Sequence, residues 1–368
     1  MKISIGAKII DGPFGGGNTF IRNLADYLSS NGIEVINHLK DKDIDYILLV
    51  NPLIGSSTST FDHIDILKYQ KYVNPKSISI QRINECDERK KTNFVNNKII
   101  NSNKYIDITI FVSDWLKTLF LDTGLHSENC FVIKGGPSSK IFNTNLKTRW
   151  NHSEKIKIVS HHWSGNWMKG FDTYKKIDQL ISKKKWNDKL EFTYIGNLPD
   201  NFTFKNAKYI KPMKETDVSL ELKKHHIYVT GSINEPSGNH HMEAAMSGLP
   251  ILYINSGGIP EYCNTFGVEF ELENLEDRLE NLIQNYDKYY ENLKNYPYSF
   301  KNASKEFLNI IKYAEKAKKS IYQKRCLPTK NVVLKKFYLN LIFKNLFHIY
   351  TKIKKFLGNF KKNFSVMI

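Results

Sequence analysis

The sequence predicts an α/β protein built from two doubly wound parallel-sheet domains, and three observations carry that prediction. Short apolar runs of β character alternate with helical patterns through the first 300 residues. The alternation comes as two series, separated by the polar segment Asn143–Glu154. At roughly 150 residues per domain, 368 residues suit two domains and an appendage. Hydrophobic residues at 41% and aromatics at 13% are enough for large cores and exclude a disordered chain.

In the first series the runs Ile3–Ile5, Tyr46–Val50, Ser77–Ile80, Ile108–Val112 and Cys130–Ile133 read as buried strands, with helices at Thr19–Ser30 and Asp114–Thr123. The second places strands at Ile156–Ser160, Phe192–Ile195, His226–Thr230 and Ile251–Ile254, and helices at Phe171–Lys185, Thr216–Lys223 and His240–Ser247. Such alternation predicts parallel sheets covered on both faces, with ligands at the carboxyl ends of the strands. Beyond Leu275 the strands stop, and Leu275–Tyr290, Asn302–Lys319 and Val332–Phe364 read as amphipathic helices. The expected division is 1–148 and 149–300 for the two Rossmann-like domains, 301–325 for a crossing helix and 326–368 for a tail.

The charge is unevenly placed. The chain carries 54 Lys and Arg against 37 Asp and Glu, a net +17. From Lys316 to the C-terminus there are 14 basic residues and no acidic one, which leaves 40 basic against 37 acidic in the rest. The body is nearly neutral, so nucleic acid is not expected as a partner. The tail instead sets Leu, Ile and Phe against Lys along a helix, a pattern that fits the surface of an anionic membrane; packing of its apolar face on the first domain is the alternative. The four cysteines form no CxxC pair and suit a reducing compartment. Met1–Ile10 reads as a first strand, without a signal peptide's apolar core, and no run reaches the roughly 20 residues needed to span a bilayer. The expected location is cytoplasmic, on the inner face of the cell membrane.

Three stretches can carry chemistry. Gly12–Asn18 (GPFGGGN) lies between the first strand and helix, where glycine amides and a helix N-terminus can meet an anion. It is neither a P-loop nor a GxGxxG fingerprint, and a flexible turn is its plain structural reading. Ser160–Gly170 (SHHWSGNWMKG) follows the second domain's first strand and presents Lys169 as a point charge for phosphate. No carboxylate follows its two histidines at ligand spacing, so no metal is expected. Asn234–Pro250 (NEPSGNHHMEAAMSGLP) sets Glu235 at a helix mouth and Glu243 within the helix, with Ser256–Glu261 (SGGIPE) after the next strand. Carboxylates repel phosphate, which makes sugar hydroxyls their natural partners. Solvated helix charge is the ordinary reading of an isolated pair of this kind.

Glu-x7-Glu, AMSGLP and GGIPE together resemble the donor-site signature of retaining glycosyltransferases of the GT-B fold, family-four type. The resemblance covers about residues 1–315, with FVSDWLK, VIKGGPSSKIF and KGF in the family's order. It implies transfer of a sugar from a nucleotide-sugar to a hydroxyl of a glycan or lipid-linked acceptor, with retention and without metal or other cofactor, in surface polysaccharide or glycolipid assembly. It further implies Glu235 beside the transferred sugar, Glu243 on the ribose, Lys169 on the diphosphate, Gly16 and Gly17 closing over it, and Gly257 and Gly258 touching sugar or phosphate. The family's usual Arg before Lys-Gly is missing; His161, His162 and Asn166 stand there instead. The family's acceptor-side His is replaced by a loop with Arg82, Asn84 and Glu85. An epimerase-like GT-B enzyme and a catalytically dead nucleotide-sugar-binding protein are the alternatives.

Overall fold

The computed structural model describes residues 1–8, 16–52, 58–125, 128–325 and 327–364. Gly12–Gly15 of the glycine loop, Cys326, residues 365–368 and the side chains of 355–364 lie outside that description. The first domain runs β1 (Lys2–Ile5), α1 (Gly16–Ser30), β2 (Glu34–Ile36), β3 (Tyr46–Leu49), α2 (His63–Tyr72), β4 (Ile78–Ile83), α3 (Asp87–Lys90), α4 (Val95–Asn103), β5 (Ile108–Phe111), α5 (Asp114–Asp122) and β6 (Cys130–Val132). Its strands pair in parallel in the order β2-β1-β3-β4-β5-β6.

The second domain runs β7 (Ile156–His162), α6 (Phe171–Leu180), β8 (Leu190–Gly196), β9 (Lys208–Ile210), α7 (Glu215–Leu222), β10 (Ile227–Thr230), α8 (Asn239–Met246), β11 (Ile251–Ile254), α9 (Pro260–Cys263), β12 (Gly267–Phe270), α10 (Leu275–Gln284) and α11 (Tyr286–Asn292). The order is β12-β11-β10-β7-β8-β9, again parallel. Two parallel sheets are what the alternating pattern predicts. The central strands are apolar without alternation because helices cover both faces: all four residues of β3 are fully buried.

Three differences have a physical reason. Strands β2, β9 and β12 escaped the sequence reading; each is three or four residues long, lies at a sheet edge and keeps an exposed residue, so none forms a continuous apolar run. The single helix expected over Leu275–Tyr290 is two helices meeting at Asn285, whose N–H closes α10 on the Asn281 carbonyl. Strand β7 continues through both histidines instead of ending at Ser160.

Helix α12 (Phe300–Lys324) then returns from the second domain to the first. Ser299 caps it, accepting from Asn302 N–H at 3.2 Å, and Ala303, Phe307, Ile310, Ile311, Ala314 and Ile321 join the core around Ile3, Leu24 and Tyr46. Arg325 ends it, donating to Asp107 at 2.7 Å and to the Pro75 and Ser77 carbonyls at 2.6 and 2.8 Å. The last helix, α13 (Lys330–Phe364), lies along α2. Among the described residues no helix is long and apolar enough to cross a membrane. Each sheet reverses its winding once, between β1 and β3 in the first domain and between β7 and β10 in the second. Crevices at the carboxyl ends of such strand pairs are where doubly wound sheets bind ligands.

Candidate active site between the two domains

The second crevice brings Lys169 to Glu235. After β7 the chain makes a 3-10 turn, Trp167–Lys169, capped by Asn166, whose Oδ1 accepts from Met168 N–H at 2.9 Å. Gly170 follows at φ 102°, and a Cβ there would lie 2.6 Å from the backbone of Gly231, so the two loops can touch only through glycine. Ile233 N–H donates to the Met168 carbonyl at 2.8 Å and the Ser232 hydroxyl to the Lys169 carbonyl at 3.3 Å. Joined in this way, the loops direct the Lys169 ammonium onto Oε2 of Glu235 as an ion pair.

The other Glu235 oxygen is met from across the cleft. Arg89 of α3, in the first domain, brings Nε to 3.1 Å from Oε1, at an angle too oblique for a hydrogen bond, so the attraction is electrostatic. Glu85 holds the same guanidinium through Nη1 at 2.8 and 3.0 Å. The helix itself is fixed because Asp87 accepts from the Val95 and Asn96 N–H groups at the start of α4, at 2.8 and 3.0 Å. Asn234 adds a bond from Nδ2 to the Glu88 carbonyl, 3.3 Å. Burial alone would raise the Glu235 pKa; Lys169 and Arg89 outweigh it and hold the carboxyl down to about 2. Arg89, also disfavoured by burial, is pushed above its usual range by Glu235 and Glu85.

Gly238 shapes the same corner. It sits at φ 65°, and a Cβ would come within 2.9 Å of Glu235 Cγ and within 2.8 and 2.9 Å of the His240 and His241 rings. His240 donates to or accepts from Thr230 Oγ1 at 2.9 Å, whereas His241 is fully buried with neither ring nitrogen bonded, and burial drives its pKa down to about 3.

Glu243 lies one helix turn away and meets Nε2 of His161 at 2.7 Å, the imidazole N–H donating. Glu215 of α7 joins this side: burial and the neighbouring Glu243 raise its pKa, and Thr19 of the first domain donates to it at 3.4 Å. His162 is buried, with Nε2 2.6 Å from the Tyr174 hydroxyl and its ring 4.3 Å from that of His240, so it packs beneath the site and does not meet the donor directly as expected. Consecutive strand residues face opposite sides of a sheet, which is why one histidine reaches Glu243 and the other cannot. Asn166, expected to touch the donor, is engaged as a cap.

The GGIPE turn supports this arrangement from behind. Gly258 N–H donates to the Glu235 carbonyl at 2.9 Å and is therefore not free for a ligand, which corrects that expectation. A Cβ on Gly257 would meet the Glu235 carbonyl at 2.5 Å, and one on Gly258 would meet Ser113 of the first domain at 2.8 Å. Glu261 reaches across the interface to accept from the Asp114 and Trp115 N–H groups at 2.9 and 2.7 Å, favoured by the N-terminal dipole of α5. Tyr262 adds a bond to the Val112 carbonyl at 2.5 Å. Sequence reading named His161 only as a stand-in for the missing Arg, and it missed Arg89, Glu215 and this interdomain role of Glu261.

The first-domain candidates gather elsewhere. Arg82, Asn84 and Glu85, with Gly17 at the start of α1, line a cavity of about 240 Å³ at the first sheet's own crevice. Gly16 opens the same helix. Glu85 is already taken by Arg89 and by Lys90 at 2.8 Å. Among the described residues no three His, Cys, Asp or Glu side chains are grouped so as to hold a metal ion.

The family described as glycosyl transferases group 1 matches residues 169–300, the part of the second domain that holds Lys169, Glu235, Glu243 and the GGIPE turn. Among solved structures, a sucrose-phosphate synthase from Thermosynechococcus elongatus superposes with a TM-score of 0.63 at 12% identity, over 86% of this chain and 99% of that one. The Anabaena protein HepE in complex with UDP-glucose gives 0.60 at 12%, over 85% and 100%. A glycosyltransferase from Rickettsia africae gives 0.58 at 14%, over 88% and 98%. No curated protein matches by sequence. The chain thus has the GT-B fold, and residues 169–300, in the second of its two Rossmann-like units, match the family of group 1 glycosyl transferases.

Proposed function

We propose that the chain transfers a sugar from a nucleotide-sugar to an acceptor hydroxyl with retention at the anomeric carbon, in cell-surface polysaccharide or glycolipid assembly. The observation that carries this reading is the Lys169–Glu235–Arg89 cluster at the mouth of the second-domain crevice, assembled from both sides of the cleft. Glu235 holds hydroxyls of the transferred sugar. Glu243, beside His161, takes the ribose. When the diphosphate enters, Lys169 exchanges the Glu235 carboxylate for phosphate oxygen, and Arg89 supplies the second cation that the Lys-Gly segment lacks. The anomeric C–O bond to phosphate breaks and the acceptor oxygen takes its place on the same face. The acceptor's proton passes to the departing phosphate oxygen. Negative charge grows on that leaving group, so fixed cations lower the barrier without a divalent ion. The solved HepE complexes with UDP and UDP-glucose make UDP-sugars the first donors to try.

The membrane reading draws support from how α13 docks. Val333 is fully buried and Lys68 of α2 lies over the Phe337 ring, and farther along Asn340 donates to Asp62 at 2.9 Å while Lys344 pairs with Asp62 and Asp65 at 2.8 and 2.6 Å. Leu341, Ile342, Leu346, Ile349 and Ile353 are exposed. An apolar stripe beside lysines is what an interfacial helix presents to anionic lipid.

The test is a screen of labelled UDP-, GDP- and ADP-sugars for nucleotide release, with Lys169→Met as the control and a chelator arm. Loss of one charge-stabilising group lowers turnover by about 10²–10³. A variant as active as the wild type, or activity abolished by EDTA, defeats the assignment.

A further inference from the structure

The first-domain crevice contains a guanidinium that no described residue pairs with. Arg82 is the last but one residue of β4, with its guanidinium carbon 4.0 Å above the Phe20 ring, and Nη1 is shut away from solvent without a hydrogen-bond partner among the described residues. Among the described residues no hydrogen bond or ion pair of the Arg82 side chain is formed. Burial, the largest influence, pulls its pKa down to about 10. The chain treats other enclosed arginines differently. Arg325 has Asp107 and two carbonyls, and Arg89 has Glu85 and Glu235. Arg82 as a whole is half-buried, but a guanidinium nitrogen shut away from solvent without a partner is destabilising on general grounds, so keeping one at a cavity wall favours a compensating partner.

The cavity suggests what that partner is. It lies at the reversal point of the first sheet, between the ends of β1 and β3, with a volume of about 240 Å³. Gly17 and Asn18 of the first turn of α1 line it, and that turn carries no acidic residue, so its amides and dipole add to the positive field. A Cβ at Gly17 would meet no described residue within 4 Å, and Gly17 lines the cavity. Among the described residues the charged lining is Lys8, Arg82 and Lys90 against Glu85, a net of two positive charges. Glu85 is itself neutralised by Arg89 and Lys90. Two positive charges and a planar donor fork match a phosphate, which accepts two parallel hydrogen bonds from one guanidinium.

We infer that this cavity seats a phosphate group of the acceptor, with Arg82 as its principal ligand. The inference rests on the glycosyltransferase reading only in calling the ligand an acceptor; the anion site stands on its own geometry. The phosphate belongs to a phosphorylated sugar or to a lipid phosphate headgroup, and the two are separable by experiment.

Full-length protein is titrated calorimetrically with glucose 6-phosphate against glucose, and with farnesyl phosphate against farnesol, with UDP as an independent ligand. The expected result is that one phosphorylated probe binds at least tenfold more tightly than its unphosphorylated counterpart, the winning pair naming the source. Arg82→Gln then weakens that probe at least tenfold, Arg82→Lys weakens it less, and both leave UDP within twofold. Arg82→Gln also melts at or above the wild-type temperature, because it removes an unpaired charge. Failure of both phosphorylated probes to bind overturns the inference. So does phosphate binding unchanged in Arg82→Gln, or a lowered melting temperature with phosphate discrimination intact, which would make Arg82 a packing residue. Wild-type protein that binds phosphate but neither UDP nor any labelled donor sinks the glycosyltransferase reading and leaves the anion site standing.

Discussion

Glu235→Gln tests the electrostatic heart of the site, because it preserves volume and removes only the charge between Lys169 and Arg89. In the folded protein the Glu235 carboxyl titrates near 2, against an ordinary value of 4.5. At about 1.4 kcal/mol per unit, that difference stabilises the fold by about 3 kcal/mol at neutral pH. Losing one partner of a buried pair gives about 3–5 kcal/mol by an independent route, and the two agree on the scale. The sign follows from a depressed folded pKa: the stabilisation is complete above 4.5 and is lost as pH falls toward 2. Glutamine mimics the protonated acid at every pH. The gap between wild type and Glu235→Gln should therefore be about 3 kcal/mol at pH 7 and about 1 kcal/mol at pH 3. Urea denaturation followed by tryptophan fluorescence reads it, with Trp163 and Trp167 in the loop that carries Lys169. Repeating the series in an Arg89→Met background separates the share of the interdomain pair, since coupled neighbours do not add. A gap that stays flat between pH 7 and pH 3 would show that the carboxylate is not held by these cations.

Three further outcomes follow from the same geometry. Glu243→Gln removes a charged hydrogen-bonding group worth about 1.5–3 kcal/mol; initial rates should show the donor KM raised about tenfold or more with kcat within twofold. Equal loss in kcat would move Glu243 from the ribose to the reacting centre. Gly238→Ala forces a side chain into a φ of 65° against Glu235, His240 and His241, and should destabilise by about 1–3 kcal/mol while lowering nucleotide release; a wild-type melting curve would contradict the packing described. Removing residues 326–368 should abolish cosedimentation with anionic vesicles, to which each lysine contributes about 1 kcal/mol, and leave UDP binding intact. Sedimentation that survives the deletion rejects the tail as the lipid-binding element.

The central strands and the second-domain loops were legible in the sequence for a definite reason. A strand buried on both faces is apolar throughout, and the loops after such strands carry the polar residues, so Lys169, Glu235 and Glu243 announce themselves by position. Edge strands give no such signal. Nor does Arg89, because its meaning depends on a contact with a residue far along the chain, between sheets that each look complete alone. His161 and His162 mark a finer limit. Their order in sequence is plain, but which of them faces the cleft depends on β7 running two residues further than its apolar stretch, and that extension comes from pairing with β8 as far as Gly196. Glu261 was read as part of a donor turn, yet its carboxylate caps a helix of the other domain. A motif can thus serve the site by fixing the domains that form it.

The distribution of charge ties the tail to the first-domain cavity. Thr58 and Ser59 line that cavity, and Asp62, three residues on, caps α2 through the Ile64 and Asp65 N–H groups at 2.8 and 3.2 Å. The same Asp62 receives Asn340 and Lys344 of α13. One short segment therefore borders the proposed phosphate pocket at one end and anchors the basic helix at the other. Docking through Val333, Phe337, Asn340 and Lys344 leaves Leu341, Ile342, Leu346, Ile349 and Ile353 facing outward; had these packed on α2, no such surface would remain for lipid. If α13 lies on an anionic bilayer, the pocket at its anchor is held beside the headgroups, and a phosphate carried by a lipid reaches Arg82 without leaving the membrane. The farnesyl phosphate arm of the titration then decides between a site that draws from the bilayer and one that draws from solution.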